Sequence, residues 1–510
     1  MNKKVFVKNT AIMTGCSLLL RSLGIVFRIF ISNRVGAEGM GLYQLVFSVY
    51  VLGTTFATSG LHTAVTRLAA EKLAYGDYGA VRRLLRVATL CCLLVGGISA
   101  LLLYGGAPLI GNWVGDARTI PAIAVSGVAL PFIGVSGTLK GYFTARRRAW
   151  PPCLSQIAEQ IVRIGGILLM LHTLWDGSLT QACLIIIVGD ALSETVACLL
   201  LVIAYRQDSR QLKPTVSPRA DRQGLLRPLL HIAVPITAGR YLSTALRTVE
   251  SLLVPARLTL FTLSNALALQ QFGAVKGMAL PLIFFPSALL MTVSGLLIPE
   301  LSDAHALGMQ KQVTRLVERA LHITLLGAVA IGGLFTALGR EWGVLLYNDP
   351  LVGLLLCILG PLTPVMYLDS VVTGMLKGLG EQVHSLWYSV ADSVVRIVLI
   401  WFLLPRYGLT GFLFVMLVSN FLTCLLGTHR LLFVSHTRFH WWKWVLGPCI
   451  SAAAAIAVCR FCAVLSMGEW PKAILTALTL LFLYVVFLFP LRCVKWADFI
   501  PLRTKKQAPQ

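Results

Sequence analysis

Apolar runs recur along the whole chain, and most exceed the roughly 18 residues that signal a membrane span. Short polar segments rich in Lys and Arg separate them. Hydrocarbon offers no hydrogen-bond partner to the backbone, so runs of this length predict helices and not barrel strands. The pattern predicts fourteen, over approximately 10–33, 43–68, 84–108, 120–144, 151–173, 180–204, 229–252, 272–299, 316–339, 351–376, 384–405, 409–433, 444–467 and 472–491. The expectation is an all-α polytopic membrane protein. The start MNKKVFVKN is basic, but the apolar stretch after it carries Arg21 and Arg28 and has no small-residue cleavage site, so it reads as a retained helix.

Composition agrees with that pattern. The 510 residues are 57% hydrophobic and only 13% charged, against roughly 25% charged in a soluble domain. The formal charge of +23, from 44 Lys and Arg against 21 Asp and Glu, does not point to nucleic acid, because no basic domain lies outside the spans to hold it. Sorting the basic residues by loop explains the charge. With a cytoplasmic start, thirty of the 44 fall on the cytoplasmic side and six (Arg34, Arg118, Arg257, Arg340, Arg406 and Lys472) in outer loops. That is the bias that orients short loops. Both termini are expected to be cytoplasmic, in a plasma-membrane protein.

An internal repeat organises the chain. GTLKG at 137–141 returns as GMLKG at 374–378, each followed by a span with a matching string, IAEQIVRI ending at Ile164 and VADSVVRI ending at Ile397. SGL at Ser59 and at Ser294, and the LT pairs at Leu179 and Leu409 that align Asp190 with Asn420, extend the match. Six spans per copy return the chain to the same side, so the copies are parallel and related by an axis along the membrane normal. The expected organisation is a six-helix lobe over 1–205, a basic proline-broken linker over 206–228, a second lobe over 229–433, and two extra helices with a basic tail over 434–510. Paired lobes suit alternating access about a midplane site, although architecture alone proves no transport.

The remaining eight basic residues, Arg21, Arg28, Arg163, Arg240, Arg247, Lys276, Arg396 and Arg460, fall inside spans. A charge there costs at least ~2.5 kcal/mol on insertion scales, so each needs a reason. Arg21 and Arg28 are seven apart and share a helix face; Arg240 and Arg247 repeat that spacing on the equivalent helix seven. Arg21 is roughly 16 Å from the cytoplasmic start of its helix, too deep for easy snorkelling. Helix one holds no acid, and helix seven only Glu250. Guanidinium forks match phosphate oxygens in pairs, so the expected cargo carries a phosphate or diphosphate. The alternative is that these arginines pair with acids on neighbouring helices.

Glu159 with Arg163, and Asp392 with Arg396, stand at i and i+4 with the acid first, the favourable order for a local salt bridge. Asp190 and Glu194 are like charges one turn apart, so one is a candidate to hold a proton. Asp190, Glu194, Glu250 and Asp392 are the ion-coupling candidates, for H⁺ or Na⁺; Asp369 is a weaker one. The alternative for the acids near Arg163 is an ion-pair cluster that pins helices five and six. Pro281 and Pro286 interrupt helix eight, as a hinge or as a static kink. The twelve cysteines lie mostly within spans and read as packing residues. Dispersed histidines and the lack of an HExxH string argue against a metal centre. No catalytic constellation is evident: PELSDAH, with Glu300, Asp303 and His305, reads as a helix end, and no enzyme activity and no cofactor are expected.

GMGLYQLVFSVYVL and ATSGLHTAVTRLAAE in the first half, with LRTVESLLVPARL and FGAVKGMALPLIFFPSALLMTVSGLLIPELSDA in the second, resemble the stage V sporulation protein B family of polysaccharide exporters. The resemblance spans nearly the whole chain. That family belongs to the multidrug, oligosaccharidyl-lipid and polysaccharide exporter superfamily, with the lipid II and O-antigen flippases. The resemblance implies two six-helix lobes plus two extra helices, and movement of undecaprenyl-diphosphate-linked sugars, peptidoglycan precursors among them, to the outer leaflet. It also implies substrate-binding roles for Arg21 and Arg28 and for Lys276 on helix eight. The arginine that lipid II flippases carry on helix two has no counterpart, since Arg67 lies at that helix's cytoplasmic end. The implied partners are a polyprenyl-diphosphate-linked glycan and membrane lipids, with the chain acting as a monomer. A cation-coupled multidrug and toxin exporter is the alternative, disfavoured by fourteen spans and four central arginines.

Overall fold

The computed structural model describes residues 3–211, 225–462 and 468–494. Among these, the backbone is helical almost throughout and contains no strand. The helices are α1 (Lys3–Ala74), α2 (Tyr78–Val114), α3 (Ile120–Ser126), α4 (Leu130–Ala145), α5 (Trp150–Thr173), α6 (Leu179–Gln211), α7 (Leu226–Thr262), α8 (Asn265–Phe272), α9 (Leu280–Phe284) and α10 (Ser287–Ala306). They continue as α11 (Gln310–Tyr347), α12 (Pro350–Leu359), α13 (Thr363–Gly378), α14 (Gln382–Ser435), α15 (Gly447–Cys462) and α16 (Glu469–Leu488).

Eleven helical stretches among the described residues are long and apolar enough to cross a bilayer, where the hydropathy pattern predicts fourteen. Part of the difference is physical continuity. α1 and α14 each run through two predicted spans, as two helices joined at Gly36 and at Gly408. α7, which carries Arg227, Arg240, Arg247, Glu250 and Arg257, is not among the eleven. α6 and α7 also reach further into the expected linker than the pattern suggests, to Gln211 and from Leu226. Residues 212–224 of that linker, and the tail from 495, lie outside the described residues. Large apolar side chains stay uncovered along the helices, such as Leu101 at 73% and Phe482 at 68%; lipid is the medium in which such faces are stable. The chain is a multi-pass membrane protein.

Contacts divide it into two compact units, Met1–Pro281 with Ser389–Ser419, and Leu282–Tyr388 with Asn420–Gln510. In the first unit, an apolar core including Leu68, Leu84, Tyr142, Leu201 and Leu229 ties α1, α2, α4, α6 and α7 together. α1 bends at Gly36, whose φ of 70° would strain any side-chain-bearing residue. Beyond the bend, its second arm lies on α7: Thr248 Oγ1 donates to the Ser48 carbonyl at 3.1 Å, and the Phe56 and Tyr241 rings sit 5.7 Å apart. The same arm meets α8 backbone to backbone. A β-carbon at Gly41 would overlap the Leu269 carbonyl, and one at Gly273 the Ala37 carbonyl. Small residues allow this closeness between membrane helices.

Helix eight is interrupted, as Pro281 and Pro286 predict: α9 ends at Phe284 and α10 starts after Pro286. A π-helical turn upstream, Gly273–Ala279, is not legible from the prolines. In the second unit, α11, α13 and α14 share a core containing Val317, Leu321, Val372 and Leu431. α11, α15 and α16 pack around Ala455, Leu480 and Tyr484, whose hydroxyl donates to the Leu326 carbonyl at 2.8 Å.

Candidate functional site

The first unit holds two clusters of ionised side chains, built on the two copies of the repeated string. In one, Arg396 of α14 pairs with Asp392 one turn earlier at 3.1 Å and with Glu250 of α7 at 3.2 Å. Glu250 also takes Lys276 Nζ at 3.0 Å. Ser419 completes the set: Arg396 Nε donates to its hydroxyl at 2.8 Å, and that hydroxyl donates to Asp392. Glu250 is only 2% exposed. The π-helical turn carries Lys276, and the Gln44 side chain on α1 donates to the Lys276 carbonyl at 3.3 Å. Two carboxylates thus face two cations, a charge-balanced arrangement that a buried ion cluster needs to be stable.

The other cluster is on α5 and α6. Arg163 pairs with Glu159 at 2.8 Å, one turn earlier, and with Asp190 of α6 at 2.8 Å. It also donates to Gln160 at 3.2 Å. Here three carboxylates, counting Glu194, accompany one paired cation. Among the described residues Glu194 has neither an ion pair nor a hydrogen bond. It opens onto a cavity of about 500 Å³ whose wall also includes Arg28, Tyr43, Tyr50, Arg163 and Asp190. The bend at Gly36 brings Arg28 on one arm of α1 and the Tyr43–Phe47–Tyr50 stripe on the other to the same chamber.

The five residues expected to bind substrate therefore separate. Lys276 is neutralised by Glu250. Arg21, Arg28, Arg240 and Arg247 form no ion pair with any carboxylate among the described residues; Arg28 is half-buried in the cavity wall, and the other three are exposed. Glu250, three residues from Arg247, turns instead to Lys276 and Arg396. Arg240 and Arg247 lie on the same helix as Tyr241, Thr244 and Thr248, through which α7 packs on α1. Of the four ion-coupling candidates, Glu250, Asp392 and Asp190 are held in ion pairs, and Glu194 is not. The weaker candidate, Asp369 on α13, belongs to the second unit.

Two further sets are not apparent from sequence spacing. Asp208, near the end of α6, accepts from the Tyr142 hydroxyl at 2.5 Å and pairs with Arg146 at 3.2 Å and Arg148 at 2.5 Å. An acid next to an otherwise basic stretch is the available signal. Arg118 binds Glu38 at 2.8 Å and Asp116 at 2.7 Å, and Asn265 at the start of α8 donates to Asp116 at 3.2 Å. The sequence also contains a CxxC spacing, Cys459 to Cys462 on α15. No group of three or more His, Cys, Asp or Glu among the described residues is placed to hold a metal ion.

Comparison with known proteins agrees with this architecture. The chain is 25% identical to Stage V sporulation protein B of Bacillus subtilis (strain 168) over 422 residues, covering 81% of this chain and 80% of that protein. It is 23% identical to Lipid II flippase MurJ of the same organism over 427 residues, covering 77% and 76%. Among solved structures, Lipid II flippase MurJ in an inward closed conformation shares the fold with a TM-score of 0.71 at 14% identity, over 92% of this chain and 96% of that one. An inward-facing multidrug resistance MATE family transporter of the MOP superfamily shares it with a TM-score of 0.65 at 14% identity, over 82% and 94%. The model of the family described as polysaccharide biosynthesis protein matches residues 6–305. That match covers more than half of the sequence, and the chain belongs to the polysaccharide biosynthesis protein family.

Proposed function

We propose that the protein translocates a lipid-linked, diphosphate-bearing glycan, such as a peptidoglycan precursor, from the inner to the outer leaflet by alternating access. The observation that carries this reading is the set of four arginines on α1 and α7, Arg21, Arg28, Arg240 and Arg247, none paired with a carboxylate among the described residues. Guanidinium groups left without carboxylates in a membrane protein are suited to an anionic ligand, and their planar forks fit a diphosphate. A diphosphate headgroup does not cross hydrocarbon unaided, whereas its polyprenyl tail can remain in lipid. The names of the relatives, a lipid II flippase among them, support a cargo of this class. The MATE likeness supports alternating access but does not favour a cationic drug, because the uncommitted charges on α1 and α7 are positive. The loop charges support cytoplasmic termini.

The test is reconstitution in liposomes with polyprenyl-diphosphate sugars, reading leaflet exchange with and without ion gradients. Arg28→Ala and Arg247→Ala are expected to abolish exchange while the protein still elutes as a folded species. Full exchange by both variants removes the cargo assignment.

A further inference from the structure

The cavity of the first unit contains a carboxylate for which the ion pairs leave no partner. Arg163 is committed to Glu159 and Asp190. Glu194 is close to Tyr50 from α1, Lys140 from α4, Glu159 and Arg163 from α5, and Asp190 and Cys198 from its own helix, and it shares the cavity wall with Arg28 and Tyr43 from α1. Of the three cations, Arg28 is the one that lines the cavity without a carboxylate of its own. It is also one of the four arginines assigned to the cargo.

We propose that Glu194 takes up a proton when Arg28 engages the diphosphate, so that this cavity couples proton binding to anion capture. The inference rests on the diphosphate reading above. When Arg28 forks onto a group with two negative charges, a net negative charge stands in the cavity onto which Glu194 opens. Three carboxylates then share Arg163, the cluster's one committed guanidinium, and Lys140. Like charge in a site of low dielectric favours the protonated acid. Linkage makes the effect reciprocal: a proton on Glu194 removes a negative charge from the cavity and strengthens diphosphate binding at Arg28.

The experiment uses the full chain in nanodiscs and farnesyl-diphosphate-linked N-acetylglucosamine, a diphosphate diester whose own charge is constant around neutral pH. Calorimetry in buffers of contrasting ionisation enthalpy counts protons exchanged on binding. Wild type is expected to take up as much as one proton per probe, with affinity falling by up to about tenfold per pH unit as pH rises. Glu194→Gln is expected to bind with no uptake and with an affinity independent of pH; Glu194→Asp restores both, and melting curves verify that each variant is folded. Binding by wild type without proton uptake overturns the inference, as does uptake that persists in Glu194→Gln. Failure of wild type to bind the probe overturns the diphosphate reading, and the inference with it.

Discussion

The two charged clusters begin from the same local pattern, an acid four residues before an arginine, and end differently. Around Arg396, α7 contributes one carboxylate, the π-helical turn one ammonium and the second arm of α14 a hydroxyl, so every charge is answered. Around Arg163, the neighbouring helix contributes two carboxylates, and only Asp190 finds the guanidinium. The closed cluster acts as a pin joining α7, α14 and the π-helical turn. The other keeps an unanswered acid at the edge of a chamber. What separates a structural ion pair from a site is thus the charge count of the second helix, which the repeated string itself does not encode.

Substitutions can break or sharpen this contrast. The largest difference is expected between two chemically identical changes. Glu250→Gln leaves Lys276 and Arg396 without their shared carboxylate and should cost about 3–5 kcal/mol, seen as a large fall in melting temperature in detergent. Glu194→Gln removes no ion pair and should stay within about 1 kcal/mol. Equal losses in the two would erase the distinction. Next comes Arg163→Met, which strands Glu159 and Asp190 and should cost about 3 kcal/mol. Adding Asp190→Asn should recover part of that loss in a double-mutant cycle, and additive losses would count against the pair. Among the substitutions that break an ion pair, the smallest effect is expected for Lys276→Met, about 1–3 kcal/mol, because Glu250 keeps Arg396; a loss as large as that of Glu250→Gln would make Lys276 the centre of the pin.

Much of this is legible in the sequence, for reasons that differ from residue to residue. The helical, membrane-spanning class follows from run length alone. The Glu159–Arg163 and Asp392–Arg396 pairs can be read because both partners sit on one helix, where spacing fixes their distance. Glu250 cannot be read in the same way. Its nearest basic neighbour in sequence is Arg247, yet it faces Arg396, 146 positions away, a choice made by helix rotation and packing. Breaks around Gly36 and Gly408 are legible as gaps between spans, but that the helix continues through each as a bend is hidden, because hydropathy does not register a single positive φ. The π-helical turn under Lys276 is hidden for a similar reason: one extra residue per turn alters the direction of a side chain without altering the apolar pattern.

Gly36 has one more consequence. Arg28 and the Tyr43–Phe47–Tyr50 stripe of the chamber belong to the same helix, on opposite sides of a single pair of torsion angles. Inserting one residue there would swing Arg28 by about 100° around the helix axis relative to Tyr43, and the chamber would lose its one cation without a carboxylate partner, with no side chain replaced. The place of Arg28 in this pocket is therefore written in the length of the chain as much as in its chemistry.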